Sequence, residues 1–175
     1  MSRRLHIGGT IKASGWEVLN ANAAPYVDHV GNANDLSRFA EGSFTDIYAS
    51  HVLEHLDYTG ELVATLKEWR RVLEPGGAVH ISVPDMDVLA DLFMLKDRLS
   101  VNERFQVMRM MFGGHEDRYD YHLVGLNEEF LSQFLLAAGY SKVERVANFD
   151  WFDDTSRLQF RGTPISLNMI AVNPG

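Results

Sequence analysis

The chain has 175 residues, of which 46% are apolar and 23% charged, and these proportions are those of one ordinary globular domain. It contains no cysteine, which excludes disulfides, thiolate metal sites and a cysteine nucleophile. A formal net charge of −8 argues against tight nucleic-acid binding, and no apolar run approaches the roughly 20 residues that span a bilayer. We therefore expect a soluble protein of the cytoplasm, without a nucleic-acid or membrane partner.

Short apolar runs alternate with longer amphipathic segments along the chain. The runs that predict strands are residues 5–7, 16–19, 27–30, 45–49, 78–83, 142–149 and 165–172. The segments that predict helices are residues 62–73, 87–96, 101–112 and 127–138. This alternation predicts an α/β fold in which a mostly parallel sheet is covered on both faces. Only an irregular loop, 150–164, separates the last two strands, so we expect them to pair antiparallel at one edge.

The connection between the first two strands is unusually short. Only Thr10 to Gly15 lie between them, whereas a parallel crossover that contains a helix needs about a dozen residues. We therefore expect the first helix to be missing or reduced to a turn. Residues 1–175 are interpreted as a single domain, with residues 86–122 as a helical insertion that forms a lid after the fifth strand.

Three segments in fixed order carry a family resemblance. They are Gly42-Ser-Phe-Thr-Asp-Ile-Tyr-Ala-Ser-His-Val-Leu-Glu-His55, Arg71-Val-Leu-Glu-Pro-Gly-Gly77, and Leu126-Asn-Glu-Glu-Phe-Leu131 followed by Ala138-Gly-Tyr140. This set resembles the class I S-adenosylmethionine-dependent methyltransferases, and within them the small predicted methyltransferases of the type 11 kind. The resemblance implies a Rossmann-like, seven-stranded, mostly parallel sheet with an antiparallel last strand, and S-adenosyl-L-methionine as cofactor.

The resemblance also assigns cofactor contacts, with two departures from the family pattern. Asparagine stands at both positions where the family has a carboxylate, one after the second strand and one after the third. The amide oxygen of an asparagine still accepts a hydrogen bond. It lacks the negative charge, which makes a hydrogen bond about twice as strong. The cofactor-binding residues that it implies are Gly8, Gly9, Asn20, Asn32, Ala33 and Ser50.

Three residues are candidates for catalysis. His51 follows the fourth strand, and an imidazole titrates near neutral pH, so it can act as the base for a hydroxyl or amine acceptor. Asp120 is a second candidate base, and His122 is a candidate for the acceptor pocket; both lie in the polar, aromatic segment 115–122. The alternatives are a hydrogen-bonded structural histidine for His51 and a solvated loop for 115–122.

The predicted function is methyl transfer from S-adenosylmethionine to a small-molecule acceptor, such as a sugar or another metabolite. The alternative is a methyltransferase-like binding or scaffold protein without catalysis, because all departures fall on the cofactor half. A less favoured interpretation is a zinc hydrolase, in which the pattern His51-x-x-Glu54-His55 would supply the zinc ligands and the base. Because this interpretation is less favoured, we assign no metal site. A second subunit, in a homodimer, is an alternative to residues 86–122 as the cover of the site.

Overall fold

A computed structural model describes residues 3–116 and 119–175. Its strands are β1 (Arg4–Ile7), β2 (Trp16–Asn20), β3 (His29–Val30), β4 (Phe44–Ser50), β5 (Leu73–Pro84), β6 (Ser141–Val146), β7 (Gln159–Phe160), β8 (Thr163–Pro164) and β9 (Ser166–Val172). Its helices are α1 (Glu61–Val72), α2 (Met86–Met94), α3 (Val101–Phe112) and α4 (Glu128–Ala137), with 3₁₀ turns at Leu53–His55 and Thr155–Arg157. Asp117 and Arg118 of the predicted lid lie outside the described residues.

Seven strands form one sheet in the order β3-β2-β1-β4-β5-β9-β6. β9 runs antiparallel to both β5 and β6, and the other neighbouring pairs are parallel. The α/β class, the mostly parallel sheet and the antiparallel last strand are thus confirmed. The strand order reverses between β1 and β4, and in open α/β sheets such a reversal leaves a crevice beyond the carboxyl ends of the strands.

One face of the sheet carries the main hydrophobic core. Because side chains alternate along a strand, Leu5 and Ile7 of β1 point to the same face as Ile47 of β4. The helices α1 and α4 cover this face, and α1 contributes the fully buried side chain of Trp69. The periodicity of residues 62–73 predicts this arrangement, since its apolar stripe is the buried face of α1.

The opposite face is covered by aromatic side chains from the segment after β6. We call Phe149, Trp151 and Phe152 the aromatic cover. Together with Trp16 of β2, all three contact the ring of Tyr48 of β4, whose side chain is fully buried. Residues 8–15 contain no helix, as the short connection predicts, and the aromatic cover lies over the strands that this connection joins.

Several predicted boundaries and one predicted loop are wrong, for local reasons. The third strand is only His29–Val30 and not 27–30, because the amide of Val27 closes a turn onto the carbonyl of Ala24. β6 ends at Val146 instead of 149, because Phe149 turns into the aromatic cover. The loop 150–164 is not wholly irregular, since β7 and β8 form a small antiparallel hairpin within it.

The insertion after β5 builds a small core of its own. Leu89 of α2 and Val107 of α3 are fully buried and pack with Ile165, which precedes β9. Ser100 and Glu103 form a capping box at the start of α3 and so fix where that helix begins. Among residues 3–116 and 119–175, none of the helices has the length and apolar character that a membrane crossing requires.

Candidate active site

A cavity of about 570 Å³ opens beyond the carboxyl ends of the parallel strands. We call it the switch-point cavity. Gly8 after β1, Asn20 at the end of β2, Asn32 after β3 and His51 after β4 line it. Gly8 has a φ of 72°, and a Cβ there would lie 2.6 Å from Val52, so a side chain would both strain the backbone and crowd the cavity wall. The volume is within the range of small-molecule sites, roughly 300 to 1,000 Å³.

The Asn20 side chain closes the glycine turn after β1. Its amide nitrogen donates to the carbonyl oxygens of Gly8 and Gly9, at 3.3 and 3.1 Å, and its oxygen accepts from the backbone N–H of Asn22 at 2.9 Å. A carboxylate at this position could not donate either of the first two bonds. The asparagine therefore shapes the cavity wall as well as lining it.

The segment after β3 forms the opposite wall of the cavity and is held in place by a hydrogen bond from α1. The indole N–H of Trp69 donates to the carbonyl of Ala33 at 2.7 Å, which fixes this segment on α1. Asn34 donates to the carboxylate of Glu61 at 2.8 Å. Asn32 is exposed, and no hydrogen bond of its side chain is seen within the described part of the chain. Asn32 is therefore the amide on this wall that a ligand can use.

Two of the predicted cofactor residues face a different cavity. Gly9 and Ser50 line a cavity of about 340 Å³ between His6 and residues 153–155, which we call the rear cavity, and they are not part of the lining of the switch-point cavity. A Cβ on Gly9 would lie within 2.6 Å of the His6 ring, so this glycine makes room for a buried histidine. The Ser50 hydroxyl lies 2.8 Å from that of Thr155. Geometry thus gives both residues packing and hydrogen-bonding roles.

His51 lies between the two cavities in a left-handed backbone conformation, with a φ of 55°. Such a conformation is uncommon for a non-glycine residue and tends to occur at functional positions. Its Nε2 lies 3.2 Å from the Ser166 hydroxyl, which itself donates to the carbonyl of Thr155 at 2.7 Å. Ser166 has thereby used its proton, so His51 Nε2 is the donor and Nδ1 carries the lone pair. Burial lowers the pKa of His51 to about 4, so the ring is neutral at pH 7.

Glu54 is the most deeply buried charged residue of the site, with 2% of its surface exposed. His51 Nδ1 lies 3.3 Å from Glu54 Oε1, but without hydrogen-bond geometry, and within the described chain neither carboxyl oxygen has a hydrogen-bond partner. Burial raises the pKa of this carboxyl to about 8. In the sequence, Glu54 stands out only as part of the His51-x-x-Glu54-His55 pattern. That pattern does not predict that the carboxyl is buried.

The predicted residues of segment 115–122 separate in the structure. His122 lies against His55, with ring centroids 5.0 Å apart, and Tyr119 lines the switch-point cavity. Asp120 is outside the cavity lining, and its carboxylate accepts from the backbone N–H of Glu116 at 3.1 Å. That bond and further backbone donation hold the pKa of Asp120 below its usual value, which makes it a poor base.

The comparisons with known proteins agree with this geometry. Residues 11–81 match the family model described as a methyltransferase domain. The match covers less than half of the chain, and the architecture is the one seen in solved structures of methyltransferases. A search of curated protein sequences gives no match.

Solved structures similar to this methyltransferase-fold chain share the architecture at low identity. An S-adenosylmethionine-dependent methyltransferase from Archaeoglobus fulgidus has 15% identity and a TM-score of 0.61, covering 98% of this chain and 86% of its own. Phosphoethanolamine N-methyltransferase 2 of Haemonchus contortus, solved with S-adenosyl-L-methionine, has 16% identity and a TM-score of 0.56, covering 99% and 49%. The CurJ carbon methyltransferase has 17% identity and a TM-score of 0.58, covering 99% and 49%. The chain therefore spans about half the length of the last two.

Proposed function

We propose that this chain binds S-adenosylmethionine in the switch-point cavity and catalyses methyl transfer to a small-molecule acceptor. The observation that carries the proposal is the position of that cavity, at the point where the strand order reverses in a sheet of the methyltransferase fold. The cofactor supplies a methyl group already activated on a sulfonium. The task left to the protein is to hold that group and the acceptor in line.

The two ends of the cavity carry different polar groups. This difference supports one orientation, with the adenosine part of the cofactor at one end and the methyl acceptor at the other. The exposed amide of Asn32 and the anchored backbone of Ala33 suit the adenosine part, since they offer a side-chain acceptor and backbone groups at one wall. His51, His55 and Tyr119 lie at the other end and suit the acceptor. Because the pKa of His51 is about 4, this ring is a weak base, and we assign it a positioning role through its Nδ1 lone pair.

Calorimetric titration with S-adenosylhomocysteine tests the proposal. Ala21 is exposed and lines the switch-point cavity, so Ala21→Trp should fill part of it without disturbing the core. Ala23 is also exposed but does not line the cavity, so Ala23→Trp is the matched control. We expect wild type and Ala23→Trp to bind, and Ala21→Trp to bind at least tenfold more weakly.

The scaffold alternative predicts a different result in the same experiment. Its structural motive is the connection 8–15, which contains no helix and so lacks the positive helix N-terminus that favours a carboxylate. If folded wild type gives no heat with S-adenosylhomocysteine or S-adenosylmethionine at high micromolar concentration, the enzymatic proposal is wrong. Only the architecture would then remain.

The proposal includes a cytoplasmic protein that pairs as a homodimer. Three apolar side chains of α3 support the pairing: Val101, Phe105 and Phe112 are 81%, 58% and 53% exposed. They recur at helical spacing and so form one apolar strip.

A further inference from the structure

A cluster of one carboxyl and two imidazole side chains lies next to the switch-point cavity, where the chain returns from α3. Glu54 and His55 lie in the 3₁₀ turn after β4, and His122 comes from the segment that returns from α3. One ligand atom from each of the three residues can be chosen so that all lie within 4.8 Å of one another. Such convergence of one carboxylate and two imidazoles is the donor set of many divalent metal sites.

The hydrogen bonds seen within the described residues occupy Nδ1 of both imidazoles and leave Nε2 for a ligand. His55 Nδ1 lies 3.1 Å from the carbonyl oxygen of Tyr121, and His122 Nδ1 lies 3.3 Å from that of Met111. A carbonyl oxygen only accepts, so Nδ1 carries the proton in each ring and Nε2 of the neutral ring carries the lone pair. Bonds of this kind from the second ring nitrogen to a backbone carbonyl orient metal-binding histidines and fix their tautomer.

Glu54 is the independent observation that points to a ligand. Its side chain is 2% exposed, and within the described residues neither carboxyl oxygen has a hydrogen-bond partner. A buried carboxyl without partners is costly, and one that serves only packing would be replaced by an apolar residue without loss. A cation bound beside it would satisfy it.

The cluster is also held together by the backbone. The N–H of Leu123 donates to the carbonyl oxygen of Glu54 at 2.7 Å, which ties the segment after His122 to the 3₁₀ turn. The positions of His122 and Glu54 are thus fixed relative to each other before any ligand binds. A pre-formed arrangement lowers the entropy cost of binding.

We propose that Glu54, His55 and His122 bind a divalent first-row transition-metal ion, with zinc as the ion that we expect. Imidazole with carboxylate suits zinc and its neighbours, whereas calcium and magnesium prefer sites made of oxygen. Three protein ligands leave one position open. His55 also lines the switch-point cavity, so we expect a methyl acceptor in that cavity to reach this position, a step that rests on the proposed function. The acceptor class is then a compound whose hydroxyl or carboxylate oxygen binds the metal.

Calorimetric titration of the chelator-treated chain with zinc chloride tests the site. We expect one zinc ion per chain, and binding at least about tenfold weaker in Glu54→Gln and in His122→Asn. His115 lies in the same segment with a φ of 59°, and its ring nitrogen contacts the carbonyl of Phe112, outside the cluster. Because asparagine tolerates such a φ, His115→Asn is the matched control and should bind zinc as wild type does.

Two results would overturn the site: no zinc binding by folded wild type, or equal binding by wild type and His122→Asn. His122→Asn decides if Glu54→Gln fails to fold, because His122 is only partly buried. Titration of the same samples with S-adenosylhomocysteine keeps the two proposals apart. Zinc binding without nucleoside binding would leave the metal site standing and remove the methyl-transfer function, and the converse would remove only the metal site.

Discussion

The side-chain amide of Asn20 donates to the carbonyl oxygen of Gly9 at 3.1 Å, and to that of Gly8 at 3.3 Å. The residue at the end of β2 therefore acts first as a donor toward the chain's own glycine turn. Asn32, the corresponding residue after β3, is exposed and has no such bond within the described residues. The two asparagines, which stand where the family that the chain resembles has carboxylates, are thus not equivalent.

This difference predicts opposite effects for the two aspartate substitutions. Asn20→Asp loses two donors and sets a carboxylate against two carbonyl oxygens, so we expect lower stability, by about 1 to 2 kcal/mol, and weaker binding of S-adenosylhomocysteine. Asn32→Asp adds charge to a free acceptor and should tighten binding about fivefold. Thermal melting and calorimetry on both variants check this. Tighter binding by Asn20→Asp would contradict the role of its amide as a donor.

The aromatic cover should carry much of the chain's stability. Phe152 is 3% exposed and packs on His6 and Tyr48, with ring centroids 4.2 and 4.9 Å apart, so Phe152→Ala should cost about 3 to 5 kcal/mol. Trp151 is 40% exposed, and Trp151→Ala should cost clearly less. Urea unfolding of both variants measures the costs. Equal losses, or a loss below about 1 kcal/mol for Phe152→Ala, would mean that the cover does not stabilise this face.

Acid should destabilise the fold through His6. Its ring is 3% exposed, and burial lowers its pKa to about 4, although the nearby carboxylate of Asp154 opposes the shift. The ordinary pKa of a histidine is about 6.5. Between pH 6.5 and pH 4 the unfolded chain therefore binds a proton at this ring more readily than the folded chain does. The free energy of unfolding falls as the pH falls through this window. We expect His6→Gln to remove up to about 3 kcal/mol of that pH dependence.

The measurement is the difference in unfolding free energy between wild type and His6→Gln at several pH values. Using the difference cancels the contributions of His51 and His122, whose pKa values burial also lowers. Parallel curves for the two proteins from pH 7 to pH 4 would show that His6 does not titrate as its burial implies.

The apolar strip on α3 predicts how the chain self-associates. Phe105 is 58% exposed at its centre, so Phe105→Glu should shift a dimer toward monomer without lowering the melting temperature of the fold. Glu129 is an exposed residue of α4, and Glu129→Gln serves as a surface control. Sedimentation equilibrium checks this. A wild type that is monomeric at high micromolar concentration would remove the homodimer from the proposal.

The fold could be predicted from the sequence because its signals are local. The apolar stripe of residues 62–73 gives α1 within one residue at each end, and the alternating run 78–83 falls inside β5. The connection before Trp16 is too short for a helix, so its length alone predicts that the helix is missing. These features depend on neighbours along the chain, so no tertiary information is needed.

The site could be predicted only in part, because its remaining features depend on distant pairing. Gly8, Asn20, Asn32, Ala33 and His51 all line the switch-point cavity, since strand ends meet at one edge. Whether the Asn20 amide donates or accepts cannot be read from the residue type, which does both. The proximity of His122 to Glu54 and His55 arises only when the chain returns from α3.

The crystal structure of the chain with S-adenosylhomocysteine tests the central claim most directly. We predict the nucleoside in the switch-point cavity, with its base beside Asn32 and Ala33 and its sulfur directed toward His51. Nucleoside bound instead in the rear cavity beside Gly9 and Ser50, or no nucleoside at concentrations that saturate related methyltransferases, would contradict the account.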